Sequence, residues 1–353
     1  MKIFAPNGYE YIRSKIDEAL ENKSRTATVS GKWLIDQAIH LPSNFTLILQ
    51  DCHLTMEDGS FCNMFVNEHH GTEIGKTVEG RDRNINIIGR GEAIIDGGKY
   101  NGLSERNCSR DGMPPIWKNN LILFTNVEGF KISDISCRNQ RWWALNFIYC
   151  AYGYLGNIDF CANDTAIDED GKEYHCLKRE KYEEVLVKNA DGIDLRQGCH
   201  DILIENITGF TEDDTVALTG LNGRLEHTFA VEGLPSDICN IEIKNIASAS
   251  FCTNVRLLNQ GNIKLHDILI DGVYDKGPES PHMESGIFAV RVGDTHLYGP
   301  RHSTKDETYN IQIRNVVGGG WYAVSLAGEI DRLVMYGIEA INGAKMVLDK
   351  RTN

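Results

Sequence analysis

Asp191 and Asp194 lie in "NADGIDLRQG" (189–198), and a second acidic group, Glu212-Asp213-Asp214, follows in "TEDDTVALTG" (211–220). Asp213 stands 22 positions after Asp191, and Asp214 stands 23 after it. If the chain winds with that period, the carboxylates fall on neighbouring rungs, roughly 4.8 Å apart along the axis. Like charges that close disfavour ionisation, so at least one carboxyl keeps its proton. A protonated carboxyl beside a carboxylate is the pairing that glycoside hydrolysis requires. Asp and Asn also form turns, and clustered carboxylates also bind calcium; spacing alone leaves these three readings open.

The elements that would position such a strip are short strands. An apolar, any, apolar, any, Asn/Asp/Gly, apolar pattern recurs as "FKISDI" (from 130), "ILIENI" (202), "IEIKNI" (241), "ILIDGV" (268), "IQIRNV" (311) and "LVMYGI" (333), with a weaker "GYLGNI" at 153. Period-2 alternation predicts a strand with one buried face. Asn and Gly tolerate left-handed dihedrals, so the chain is expected to turn after each strand. Start-to-start spacings are 23 (130 to 153), 27 (241 to 268) and 22 (311 to 333); the others are 49, 39 and 43, as if loops were inserted or a second coil lay within each. A unit this short must stack on its neighbours, which predicts an all-β parallel solenoid spanning residues 1–353 as one domain.

Ile12, Ile16, Ala19 and Leu20 follow helical spacing and predict a short amphipathic helix within an N-terminal cap over residues 1–28. Residues 163–186, strongly charged, and 275–310, with Pro278, Pro281 and Pro300, break the pattern and read as loop insertions bordering a cleft.

With 353 residues, 41% hydrophobic and 24% charged, the composition is that of a globular chain. The net charge of −14 and the lack of a basic run exclude a nucleic-acid binder and favour a neutral ligand over a polyanion. No 18-residue apolar stretch predicts a membrane span, and "MKIFAPNGYEYIRSKIDEALENKS" lacks the apolar core of a secretory signal, so a cytoplasmic protein is expected. The ten cysteines, without CxxC pairs, read as buried reduced thiols. Neither a cofactor nor a metal is expected.

At the acidic motifs the sequence resembles glycoside hydrolase family 28, the polygalacturonase family, whose Asn-Thr-Asp-Gly-(Ile/Phe)-Asp and Gly-Asp-Asp motifs read here as "NADGID" (189–194) and "TEDD" (211–214). "IIGRGEAIIDGG" (87–98), "LPSNFTLILQDCHL" (41–54) and "MPPIWKNNLILFTNVEGFKISDISCRNQRWWALNF" (113–147) are similar to other family segments, and the resemblance spans about residues 28–275. It implies a right-handed parallel β-helix and an inverting mechanism. Asp213 would be the general acid, Asp191 and Asp214 would hold and activate water, and Asn189 would orient the site. Trp143 would match the family's tryptophan after Ser-Pro.

The sequence also departs from the family. No histidine stands near 250–257 where Gly-His-Gly belongs, Glu212 replaces a glycine, and of Arg-Ile-Lys only Arg291 in "AVRVGD" has a counterpart. Arg256 and Arg291 are candidates for rebuilding substrate contacts. So are loop histidines, His227 foremost among His175, His227, His282, His296 and His302, while Trp142, Trp143 and Trp117 are candidates for stacking on sugar faces, with one of the Trp142-Trp143 pair facing the core. The expectation is a glycosidase acting on an oligosaccharide other than plain polygalacturonate, with a neighbouring chain able to complete the cleft. A lyase, epimerase or sugar transferase on the same fold, or a non-catalytic carbohydrate-binding module, are the alternatives.

Overall fold

The computed structural model describes residues 4–99, 116–162, 166–167, 173–174, 190–280, 286–294 and 298–352. Two ten-stranded parallel sheets wind together, each coil contributing one strand to each. The first sheet consists of long strands: Thr26–Ile35, Phe45–Met56, Asp82–Asp96, Val127–Arg138, Ala151–Cys161, His200–Thr211, Ile238–Ser250, Leu265–Asp275, Thr308–Gly318 and Asp331–Ala340. The second consists mostly of short ones: Ile39–Leu41, Phe65–Asn67, Ile122–Thr125, Leu145–Ile148, Ile193–Arg196, Val216–Gly220, Thr253–Asn259, Phe288–Val292, Tyr322–Gly328 and Lys345–Arg351.

Alternation feeds one side chain in two to the interior. Leu47, Ile87, Ile132, Leu155, Ile204, Ile243, Ile270 and Ile313 are ladder partners in turn and fully enclosed. Ile122, Leu145, Ile193, Val216, Val255, Val290 and Val324 form the matching row of the short-strand sheet. Each such side chain contributes about 1.5–3 kcal/mol by leaving water, and the continuous row is what makes one coil depend on the next.

Every residue at the repeat's Asn/Asp/Gly position has positive φ: Asp134 63°, Asn157 54°, Asn206 57°, Asn245 54°, Gly272 82°, Asn315 56° and Gly337 67°. The expected turn is instead a bend, since each lies inside a long strand that pairs on both sides of it. Side-chain amides of successive rungs join there: Asn157 donates to Asp134 at 2.8 Å, Asn206 to Asn157 at 3.1 Å and Asn245 to Asn206 at 3.2 Å. The long spacings are single coils with insertions, because His200–Thr211 pairs directly with both Ala151–Cys161 and Ile238–Ser250.

The helix Gly8–Glu21 caps the first coil with Ile12, Ile16 and Ala19 buried. Within 163–186, Ala166–Ile167 and Glu173–Tyr174 form an antiparallel ribbon. The span 275–310 is not one loop: it contains the sheet strand Phe288–Val292, whose alternation was hidden by its proline- and histidine-rich flanks. The eight cysteines among the described residues are free. Among the described residues no helix is long and apolar enough to cross a membrane.

Candidate active site

In Ile193–Arg196, Ile193 and Leu195 enter the core, so Asp194 and Arg196 leave the opposite face of the short-strand sheet. Asp191 lies just before this strand, as Asp213 and Asp214 lie just before Val216–Gly220. The Ala144 amide donates to the Asp191 carbonyl at 3.0 Å and the Gly192 amide to the Asp214 carbonyl at 3.0 Å. Trp143, Asp191 and Asp214 therefore stand on three successive rungs. Gly192 permits the close approach, since a Cβ there would sit 2.4 Å from the Thr215 carbonyl oxygen.

The turn carrying Asp213 is held by hydroxyls. Thr211 Oγ1 and Ser250 Oγ both donate to the Asp213 carbonyl, at 2.7 and 2.8 Å. Thr211, Thr215 and Ser248 continue as a buried hydroxyl chain anchored by Asn254. Asp191 and Asp214 are each 5% exposed and Asp194 1%, whereas Asp213 is half-buried. Of the four aspartates, Asp213 is the one open to an incoming group.

Burial pushes the Asp191 carboxyl well above the usual carboxylate range, and the neighbouring Asp194, Asp213 and Asp214 push it further, against Arg196. Asp194 is raised to about 7 by burial, with Arg196 opposing, Asp214 reinforcing and a hydrogen bond from Asp191 opposing. Among the described residues, Asp191 Oδ1, Asp194 Oδ2 and both amide atoms of Asn146 are buried without a hydrogen-bond partner. Asn146 is the ladder partner of Asp194 on the preceding rung.

Arg256 and Arg291 are ladder partners farther along the same outward face. Arg256 Nε lies 3.9 Å from Asp214, and Asp294 bridges the two arginines, accepting from Arg256 at 3.2 Å and from Arg291 at 2.9 Å. Burial works against the charge of Arg256, but Asp214, Tyr298, Asp294 and Asp213 overcome it and raise its pKa. Arg291 is lowered by burial and by Arg256.

The other candidates fall differently. Trp142 and Trp143 are both buried, at 4% and 7%, which corrects the expectation of open stacking faces and of only one indole in the interior. Both belong to one buried cluster with Trp117, Leu225 and Phe229, their rings edge to face at 6.1 Å, and Trp143 lies under the Arg196 guanidinium. His227 is exposed on the helix Arg224–Thr228, whose neighbouring Glu226 faces inward to Arg196. His302 is half-buried near the last coils. Asn189, His175, His282 and His296 lie outside the described residues. Sequence reasoning missed Asp294, Glu226, Asn146 and the role of Arg196; for Arg196, its place two residues after Asp194 was the available signal. A groove of about 560 Å³ over the long-strand sheet, lined by Asp201, Asn240, Asp267 and Asn310, holds none of the acidic motifs.

The two stacked parallel sheets, with a buried carboxylate strip on the outward face of one, define a parallel β-helix protein. The profile of glycosyl hydrolases family 28 matches residues 39–233, more than half of the chain and inclusive of both acidic motifs, and the chain belongs to that family as a glycosidase. No curated protein matches it by sequence. Among solved structures, it is similar to 1,3-α-1,4-β-D-galactose-4-sulfate-3,6-anhydro-D-galactose-2-sulfate 4 galactohydrolase (13% identity, TM-score 0.59), covering 99% of this chain and 87% of that one. A tailspike protein of E. coli bacteriophage HK620 in complex with a pentasaccharide gives 14% identity and TM-score 0.54, covering 99% of this chain and 62% of that one. A hyperthermoactive exopolygalacturonase from Thermotoga maritima gives 12% and 0.44, covering 97% and 87%. The right-handed parallel β-helix is the fold shared with the first two.

Proposed function

We propose that the protein hydrolyses a glycosidic bond in an oligosaccharide with inversion, Asp213 protonating the leaving oxygen while Asp191 and Asp214 hold the attacking water. The observation that carries this reading is the placement of Asp191 and Asp214 on adjacent rungs with the half-buried Asp213 beside them. The open carboxyl suits a bulky leaving group, and the enclosed pair suits a water. Asp191 Oδ1, without a partner among the described residues, is available to accept a hydrogen bond from that water, and Asp214, paired with Arg256, takes the proton.

Two features support an uncharged sugar next to the scissile bond. Asp294 bridges Arg256 and Arg291 while Asp214 stands against Arg256, so the two guanidinium charges are met by two internal carboxylates, and the chain carries a net charge of −14. A uronate would meet an arginine pair occupied by internal carboxylates, beside four aspartates. Proton NMR of freshly released product, on a panel of neutral and acidic oligosaccharides, tests the reading. Inverted anomers from neutral substrates are expected; retained configuration, or cleavage confined to polygalacturonate, contradicts it.

A further inference from the structure

Arg196 leaves the sheet beside Asp194 and is deeply enclosed, its side chain 4% exposed. Its guanidinium lies 3.9 Å from the Trp143 ring centre. One arm donates to Glu226 at 3.1 Å, and the other approaches Asp194 Oδ1 at 3.4 Å. Glu226 is fixed in turn, because its second oxygen accepts the Gly223 amide at 3.0 Å and its carbonyl accepts from Gln197 at 2.8 Å. The arginine is thus clamped from below by an indole and from the side by a helix, with one arm left for Asp194. Enclosing a guanidinium is costly unless its contacts are made in full, and Arg196 Nε has no partner among the described residues.

We propose that Arg196 is a positioning residue, holding Asp194 so that it takes the negative charge of the neighbouring Asp191–Asp194 pair while Asp191 stays protonated. This rests on the hydrolase reading above, in which Asp191 must present its free oxygen to water rather than a second anion. The groups facing the pair are consistent with that division. The preceding rung offers the neutral amide of Asn146, and the following rung offers Asp213 and Asp214, with Arg256 beyond them. The helix offers Glu226, already bound to Arg196. Among the described residues, Arg196 is the cation that bears on both members of the pair. A titration of Asp194 near neutrality fits a site whose single ionisation separates inactive from active enzyme.

The test uses the whole protein with aspartate carboxyls labelled by carbon-13, comparing wild type, Arg196→Gln and Arg196→Lys. Asp194→Asn assigns the signal. Removing the cation raises the Asp194 titration by about 1–3 pH units, and the acid limb of kcat/KM moves up with it; Lys restores part of the shift. If Arg196→Gln does not fold, Arg196→Lys carries the same readout through loss of the two-armed contact. An unmoved titration in a folded variant overturns the proposal, even where activity falls. A shifted titration in a protein that cleaves no glycan upholds the proton placement and overturns the hydrolase reading instead.

Discussion

Asp191 and Asp214 occupy equivalent positions on successive coils, joined through the Gly192 amide and the Asp214 carbonyl at 3.0 Å. Their contact depends on a missing side chain. In Gly192→Ala the new methyl meets the Thr215 carbonyl oxygen and the Phe160 ring, forcing the rungs apart. A loss of about 1–3 kcal/mol is expected from overpacking, read by urea denaturation, with activity falling more steeply than stability. A variant with wild-type stability and turnover would show that the rung spacing does not matter.

Asp194 makes stability depend on pH in the reverse of the usual carboxylate sense. Its folded pKa of about 7 exceeds the ordinary 3.8, so the folded protein holds a proton that the unfolded chain has lost. That stabilisation is complete below the ordinary value and disappears as pH rises through 7. Asp194→Asn removes the dependence. The variant should gain stability relative to wild type between pH 4 and pH 8, on the order of a few kcal/mol at 1.4 kcal/mol per unit. Parallel melting curves across that range would contradict the assigned shift.

Much of this was legible in the sequence, for physical reasons. Ile204, Ile243, Ile270 and Ile313 stack because the period-2 pattern sets one face of every strand. The 22- and 23-residue spacings placed the acidic motifs one coil apart because a coil is the distance after which a parallel ladder returns. Asp294 and Glu226 were not legible. Asp294 closes the "AVRVGD" segment without a role attached to it and Glu226 lies in no motif, and each reaches the site only because Arg291 and Arg196 point outward from ladders whose register a single sequence does not disclose. The strand Phe288–Val292 was hidden for a related reason, its few residues being outweighed by the breakers around them.

The amide ladder of the long-strand sheet gives a stability prediction separate from catalysis. Asn206, at φ 57°, donates to Asn157 and accepts from Asn245. Asn206→Ala loses both hydrogen bonds and strains the left-handed backbone, at about 2–3 kcal/mol. Asn206→Gly relieves the strain and should cost less. Equal losses in chemical denaturation would mean that the backbone conformation contributes nothing.

Asp294→Asn separates the substrate argument from the catalytic one. With the bridging charge gone, Arg256 and Arg291 face the cleft less neutralised, and affinity for a uronate-bearing oligosaccharide should rise while thermal stability falls. Calorimetric titration with paired neutral and acidic sugars measures the difference. Unchanged selectivity would remove the arginine pair from substrate discrimination.

The central claim is that Asp213 is the acid of an inverting hydrolase, and the most direct measurement is release of reducing ends from varied oligosaccharides by wild type and by folded Asp213→Asn. Wild type should cleave at least one glycan, and the variant should be slower by about 10²–10⁴-fold. Release that survives the substitution at the wild-type rate, or a wild type that cleaves nothing, would contradict it.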